Sequence, residues 1–257
     1  VFSADPFQLV LGKSTFSLDQ VVLADDLAVS GTITIKEPRL YTATLTRPGI
    51  MGWYRYVPFM ECYHGVVSTG HSLDGVLRVS TADGSEDVHF DGGRGYIEKD
   101  WGTSFPSSYI WMQSNSFSDS QYSCMLSVAR IPWFGSYFRG FLGFFDYGDR
   151  IITFATYSKA QLTIEDVAEK SVSIRIAGRG SGAGNTLARG EQIVFRAHRS
   201  SVGLLMAPQV GRMDRRIGES IDATIELEYW KDGKCEYQGT TTNSGLELVG
   251  DMGELRV

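Results

Sequence analysis

The chain has 257 residues, enough to bury about three quarters of its unfolded surface without disulfide staples. With 24 basic against 30 acidic residues and 42% hydrophobic residues, it is neither a disordered polymer nor a basic nucleic-acid binder. No apolar run approaches the ~20 residues of a membrane helix, and 29 glycines beside 14 Phe, 12 Tyr and 5 Trp point to tightly turned β-structure with something to enclose.

The start at Val1-Phe2-Ser3, with no initiator Met, reads as a trimmed N-terminus. Cys62, Cys124 and Cys235 are widely spaced and form no Cys-x-x-Cys, so buried free thiols in a reducing, cytoplasmic setting are expected. The segment from Met51 to Phe117 holds Trp53, Trp101 and Trp111 and three of the four histidines, His64, His71 and His89. Turn signals follow at short intervals: Asp83-Gly84, Asp91-Gly92-Gly93, Tyr147-Gly148-Asp149 and Asp232-Gly233. Such spacing predicts antiparallel hairpins. Residues 171–177, 191–197 and 222–229 alternate apolar and polar, the mark of strands with one dry face. One short helix is expected over 213–221, where Asp214 would cap and Ile217 and Ile221 would share a face. The Gly-rich stretch 178–190 lacks the Gly-Lys-Ser/Thr ending of a phosphate-binding loop and reads as a flexible hairpin loop. Arg212, Arg215 and Arg216 read as surface salt-bridging groups.

Parity singles out the candidate site. If 95–101 is extended, Tyr96, Glu98 and Asp100 face one way and Ile97, Lys99 and Trp101 the other. Over 110–117, Trp111, Gln113, Asn115 and Phe117 share a face opposite Ile110 and Met112. Over 61–64, Glu61 and Tyr63 oppose Cys62 and His64. Aromatics mixed with carboxylates, amides and an imidazole suit a binding cavity, although parity alone also fits a polar outer face. His64 and His71 are seven apart, on opposite faces of one continuous strand, and no His-x-His occurs, so no metal is expected. A Gly-x-Ser-x-Gly elbow and a dinucleotide fingerprint are likewise lacking.

The blocks Val57–Gly65, Gly93–Gly102 with its Glu98-Lys99-Asp100-Trp101-Gly102 core, Ser104-Phe105-Pro106 and Trp111–Asn115 resemble the tocopherol cyclase family. Phe154–Tyr157, Ala207-Pro208, Arg215–Ile217 and Gly245-Leu246-Glu247 continue the resemblance along most of the chain. It is closer to bacterial members than to plant enzymes, with a distant relation to carotenoid hydratases and lipocalin-like Diels–Alderases. The family's N-terminal segment is expected to be missing here.

The resemblance implies an all-β fold of two consecutive lipocalin-like antiparallel β-barrels or sandwiches, 1–118 and 119–257, divided near Phe117–Ser123. It implies cofactor-free isomerase chemistry on a small apolar prenylated or polyene ligand, in the cytoplasm or in transient contact with a membrane surface. Cyclisation of a prenylated hydroquinone requires a neutral carboxylic acid, an aromatic wall for the cation and a base for the phenolic proton. Glu98 is the expected acid, from its place in a Tyr96-x-Glu98 motif. His64 is the base or orienting partner, and Tyr96 the relay. Trp111 or Trp101 is the cation wall, and Gln113 and Asn115 hold the quinol oxygens. Asp100 either serves the ligand or pairs with Lys99, Arg94 or backbone amides. Glu61 is the alternative acid, in which case Glu98 is taken by a salt bridge. A non-catalytic carrier of an apolar ligand remains the alternative from a different class.

Overall fold

The computed structural model describes every residue except 1, 5–6, 25–27, 46–47, 119–121 and 257, with residues 2–4 described by backbone alone. Val1, and with it the trimmed start, lies outside the described residues, as does the centre of the expected division at Phe117–Ser123. The architecture is all-β, as expected, in two antiparallel sheets with only four short 3-10 turns among the described residues. No described helix is long and apolar enough to cross a membrane.

The chain divides into two compact units, Val1–Tyr41 with Val67–Ile97, and Thr42–Val66 with Glu98–Val257. The smaller sheet opens with β1 (Phe2–Ala4), β2 (Phe7–Leu11), β3 (Ser14–Ser17), β4 (Gln20–Leu23) and β5 (Val29–Lys36). Long β6 (Cys62–Thr81), β7 (Gly84–His89) and β8 (Gly93–Gly102) complete it. Its strands run in chain order from β1 to β7, and β8 pairs with β6. Residues 62–66 and 98–102 of β6 and β8 belong to the second unit.

The ten strands of the larger sheet lie in the second unit. They begin with β9 (Tyr109–Ser114), β10 (Ser123–Trp133), β11 (Ser136–Tyr147) and β12 (Arg150–Ala155). Next come β13 (Gln161–Val167), β14 (Ser171–Ala177) and β15 (Glu191–His198). The last are β16 (Gly203–Gln209), β17 (Arg212–Lys231) and β18 (Lys234–Val249). Their order is β12-β11-β10-β9-β18-β17-β15-β14-β13, with β16 on β17. The expected cut at 118–119 falls between β9 and β10, which pair with each other from Tyr109↔Ala129 to Ser114↔Cys124.

All four turn signals close hairpins or tight turns. In the β17–β18 hairpin Lys231 faces Lys234, and Asp232 and Gly233 both take positive φ, 49° and 81°. That is the type I′ geometry whose twist matches antiparallel strands. The strict alternation of 171–177 becomes β14, whose burial alternates residue by residue. Its buried side chains Ile174 and Ile176 join Phe145, Phe195, Ile225 and Leu246 in the main core.

Three expectations are corrected. Residues 213–221 are strand, not helix, because β16 supplies a pairing partner from Leu204↔Gly218 to Gln209↔Arg212. Asp214 is the extra residue of a bulge there, and Ile217 is buried while Ile221 is 76% exposed, so the two share no apolar face. The Gly-rich 178–190 stretch is not a free loop. Leu187 is buried and its amide donates to Thr153 O at 2.8 Å, while bridges Gly178↔Arg189 and Gly180↔Ala188 close the connection on itself. Among the described residues Arg215 makes no ion pair: it donates to the carbonyls of Pro106 and Ser107, both at 2.8 Å, and so holds the β8–β9 connection. All three cysteines are free, with Cys124 buried as expected and Cys62 and Cys235 partly covered.

The core makes a direct prediction. Phe145→Ala removes a fully buried ring and is expected to cost about 3–5 kcal/mol in chemical denaturation. Leu204→Ser, at a position 70% exposed, should stay within about 0.5 kcal/mol of the parent chain.

Candidate active site

The strand faces sort the motif residues into two groups. On β6, Cys62 and His64 lie on one side and Tyr63 on the other; on β8, Glu98 and Asp100 lie opposite Lys99 and Trp101. His64, Glu98 and Asp100 meet. His64 Nδ1 is 2.6 Å from Asp100 Oδ1, and Nε2 faces Glu98 Oε2 at 3.4 Å, an ion-pair contact without hydrogen-bond alignment. The side chains of His64, Glu98 and Asp100 are 11%, 16% and 25% exposed, so solvent screens them little. Burial opposes charge on His64. The Glu98 carboxylate, then the Asp100 hydrogen bond and charge, outweigh it and push the imidazole up to about 9. At neutral pH His64 is therefore an imidazolium, not the neutral base expected from the sequence.

On the other face, Tyr63 stacks on Trp101 with centroids 5.5 Å apart and rings 10° from parallel. Lys99 and Arg55 also lie over the Trp101 ring, at 5.5 and 5.7 Å. The ring that was a candidate cation wall is thus occupied by the protein's own groups. Glu61 contributes its backbone carbonyl, which accepts from the Thr103 and Ser104 amides. Tyr96 lies in the first unit, one residue before its boundary at Ile97, whereas His64, Glu98 and Asp100 lie in the second. Burial and the nearby Asp100, Glu98 and Glu61 charges push the Cys62 thiol up to about 12, which makes it a poor nucleophile.

β9 carries the other candidates. Ile110 and Met112 sink into the main core, which turns Tyr109, Trp111 and Gln113 to the opposite face. Trp111 Nε1, Gln113 Nε2 and Asn115 Nδ2 are buried donors with no hydrogen-bond partner among the described residues. Three such donors in succession are unusual, since buried polar groups are normally paired. Phe117 leaves this face. The strand ends at Ser114, and Phe117 turns into the core against Phe145 and Tyr237. Gly245, opposite Gln113, is required: a Cβ there would lie 2.6 Å from the Trp111 ring.

Sequence reasoning passed over the groups beside Trp111. Register places Glu247 directly opposite Trp111 and Glu219 directly opposite Glu247, all on one face. Tyr109 donates its phenol proton to Glu247 Oε2. Burial, the largest cause, with the charges of Glu219, Glu98 and Asp100, pushes the Glu247 carboxyl up to about 7 against the pull of the Tyr109 hydrogen bond. Burial also raises Glu219. The available signal was the alternation Gly245-x-Glu247-x-Val249 beside an apolar Leu246.

His64, Glu98 and Asp100 offer ligand atoms within 4.8 Å of one another, a donor set that a divalent cation can use. A metal-bound histidine must be neutral, and the two carboxylates favour the imidazolium instead.

Residues 31–136 match the sequence pattern of the tocopherol cyclase-like family. The chain resembles that family. The matched stretch contains every residue of the His64 cluster and β9; Glu219 and Glu247 lie beyond it. No protein of curated function matches the sequence. Among solved structures, CghA crystallised with Sch210972 is similar with a TM-score of 0.58 and 9% identity, over 93% of this chain and 68% of that one. Kievitone hydratase from Nectria haematococca is similar with a TM-score of 0.52 and 12% identity, over 95% of this chain and 71% of that one. At such identities the likeness establishes the shared, lipocalin-like fold.

The His64 cluster leaves a pH signature. Its folded value, about 9, lies above the ordinary 6.5, so its stabilisation is fully present below about pH 6.5 and is lost as pH rises through 9. The difference in unfolding free energy between the parent chain and His64→Gln, followed by denaturant titration, should be largest below pH 6.5. It should be at most roughly 3 kcal/mol and vanish toward high pH. A difference independent of pH would contradict the ion cluster.

Proposed function

We propose that the chain is a cofactor-free cyclase of tocopherol cyclase type, acting on a prenylated hydroquinone or a related polyene. The reading rests on one observation: a buried imidazolium held between two carboxylates, in the same unit as a strand face of unpartnered donors. The reaction protonates an alkene, forms a tertiary cation and traps it with a phenol oxygen. The carboxylates of Glu98 and Asp100 are the groups to receive the phenolic proton, with His64 balancing their charge and holding their orientation. Glu98 as partner of a cation suits this role better than that of a neutral acid. Trp111, whose ring lies over Gly245, is the aromatic face for the cation, a contribution of about 2 kcal/mol when desolvated. Its indole N–H and the amides of Gln113 and Asn115 are donors for the ligand's oxygens. A ligand of this class partitions into bilayers, so transient contact with a membrane surface is part of the reading.

The same donors would also suit a carrier that holds an apolar ligand without turning it over. Incubation with a prenylated hydroquinone separates the two. The cyclase yields a chromanol of unchanged mass in H2O, and His64→Gln slows it by about 10²-fold or more. Ligand-dependent quenching of tryptophan fluorescence without any chromanol would leave only the carrier.

A further inference from the structure

The chemistry above needs a neutral acid, and the large sheet holds a group suited to it. Glu247 on β18 lies between Trp111 on β9 and Glu219 on β17, each directly opposite it in register. Tyr109 donates to Glu247 and packs in an apolar cluster with Ala129, Ala207, Ile217 and Val249, so this end of the face is dry. The acidic groups whose charge reaches Glu247 are Glu219, Glu98 and Asp100. Two cations are near: Arg199, whose charge also interacts with Glu247, and Arg215, which acts on Tyr109. Both guanidiniums donate to backbone carbonyls, Arg199 through its two terminal nitrogens to Gly218 and Glu169, and Arg215 to Pro106 and Ser107, and among the described residues neither forms an ion pair with Glu247. Glu98 and Asp100 have the imidazolium of His64 as partner; among the described residues Glu247 has a phenol and a facing carboxylate. Several carboxyls in one dry site do not all ionise, and Glu247, which forms no ion pair among the described residues, is placed to keep a proton.

We propose that Glu247 is the proton donor to the substrate's alkene, standing beside the Trp111 face on which the resulting cation forms. This rests on the cyclase reading and assigns its acid to a residue outside the motif. The Glu247 O–H bond breaks as the alkene's π pair forms a C–H bond at the less substituted carbon, which leaves the tertiary carbon cationic. A phenol oxygen lone pair closes the C–O bond, and the phenolic proton passes to the carboxylates around His64. That proton leaves to solvent and Glu247 takes one back, so substrate and product are isomers and no co-reactant is consumed. The raised Glu247 carboxyl, at about 7, keeps a substantial neutral fraction under physiological conditions.

The test uses the full chain, Glu247→Gln and Glu219→Gln with a prenylated hydroquinone in D2O, with binding followed by tryptophan fluorescence. The parent chain should incorporate one deuterium at the new C–H bond. Glu247→Gln, whose amide oxygen still accepts from Tyr109, should bind the quinol with unchanged affinity and lose about 10²–10⁴-fold in rate. Glu219→Gln removes a like charge and should move the alkaline limb of kcat/KM to lower pH. Chromanol formed by Glu247→Gln at the parental rate, or an unshifted limb in Glu219→Gln, overturns the role of Glu247 and leaves the cyclase reading standing. A parent chain that binds the quinol but forms no chromanol overturns the cyclase reading and this role with it.

Discussion

The register of β9 is the constraint on which the site depends. It is hydrogen-bonded on both sides, to β10 and β18, and one of its faces, Ile110 and Met112, is fully buried in the main core. Each such side chain contributes about 1.5–3 kcal/mol by burial. A slip of one residue would exchange the faces, driving Gln113 into hydrocarbon and exposing the core residues. Because the core forbids that slip, Tyr109, Trp111 and Gln113 are held on the opposite face, and the pairing with β18 then fixes Glu247 beside Trp111. The unpartnered donors on this face are a cost that the core outweighs.

The same few carboxylates act in two senses. They raise His64 because they favour its cation, and they raise Glu247 because they disfavour its anion. Burial makes both effects large, since charges are weakly screened away from water. The result is one protonated imidazole balanced by partners and one carboxyl kept near neutrality by burial and, after it, repulsion. Environments that push titratable groups apart in this way are what acid–base chemistry at neutral pH requires. Trp101, by contrast, lies on the far face of β8 under Tyr63, Lys99 and Arg55. Its ring is covered by the protein's own groups, whereas Trp111 lies on the face of the unpartnered donors.

Local pattern carried much of the fold. Asp-Gly pairs marked hairpins, and alternation marked β14, β15 and the second half of β17, because a strand's two-residue period and its turns are short-range properties. The helix expected over 213–221 failed because strand pairing overrode the spacing of its apolar residues. Its apolar spacing fits either period, and pairing with β16, across the two-residue turn Val210-Gly211, decided for strand. Leu187 drew an apparently idle glycine loop into the structure in the same manner.

From the sequence alone came the strand character, the apolar and polar faces of the motif strands and the family resemblance, and with them His64, Glu98, Asp100, Trp111 and Gln113 as candidates. Tertiary structure alone decided the charge on His64, the occupation of Trp101 and the presence of Glu247, Glu219 and Tyr109 in the site. The reason is physical. Which way a residue faces is set by its neighbours in the chain, whereas its protonation and its partners are set by charges and burial brought from other strands, remote in the sequence.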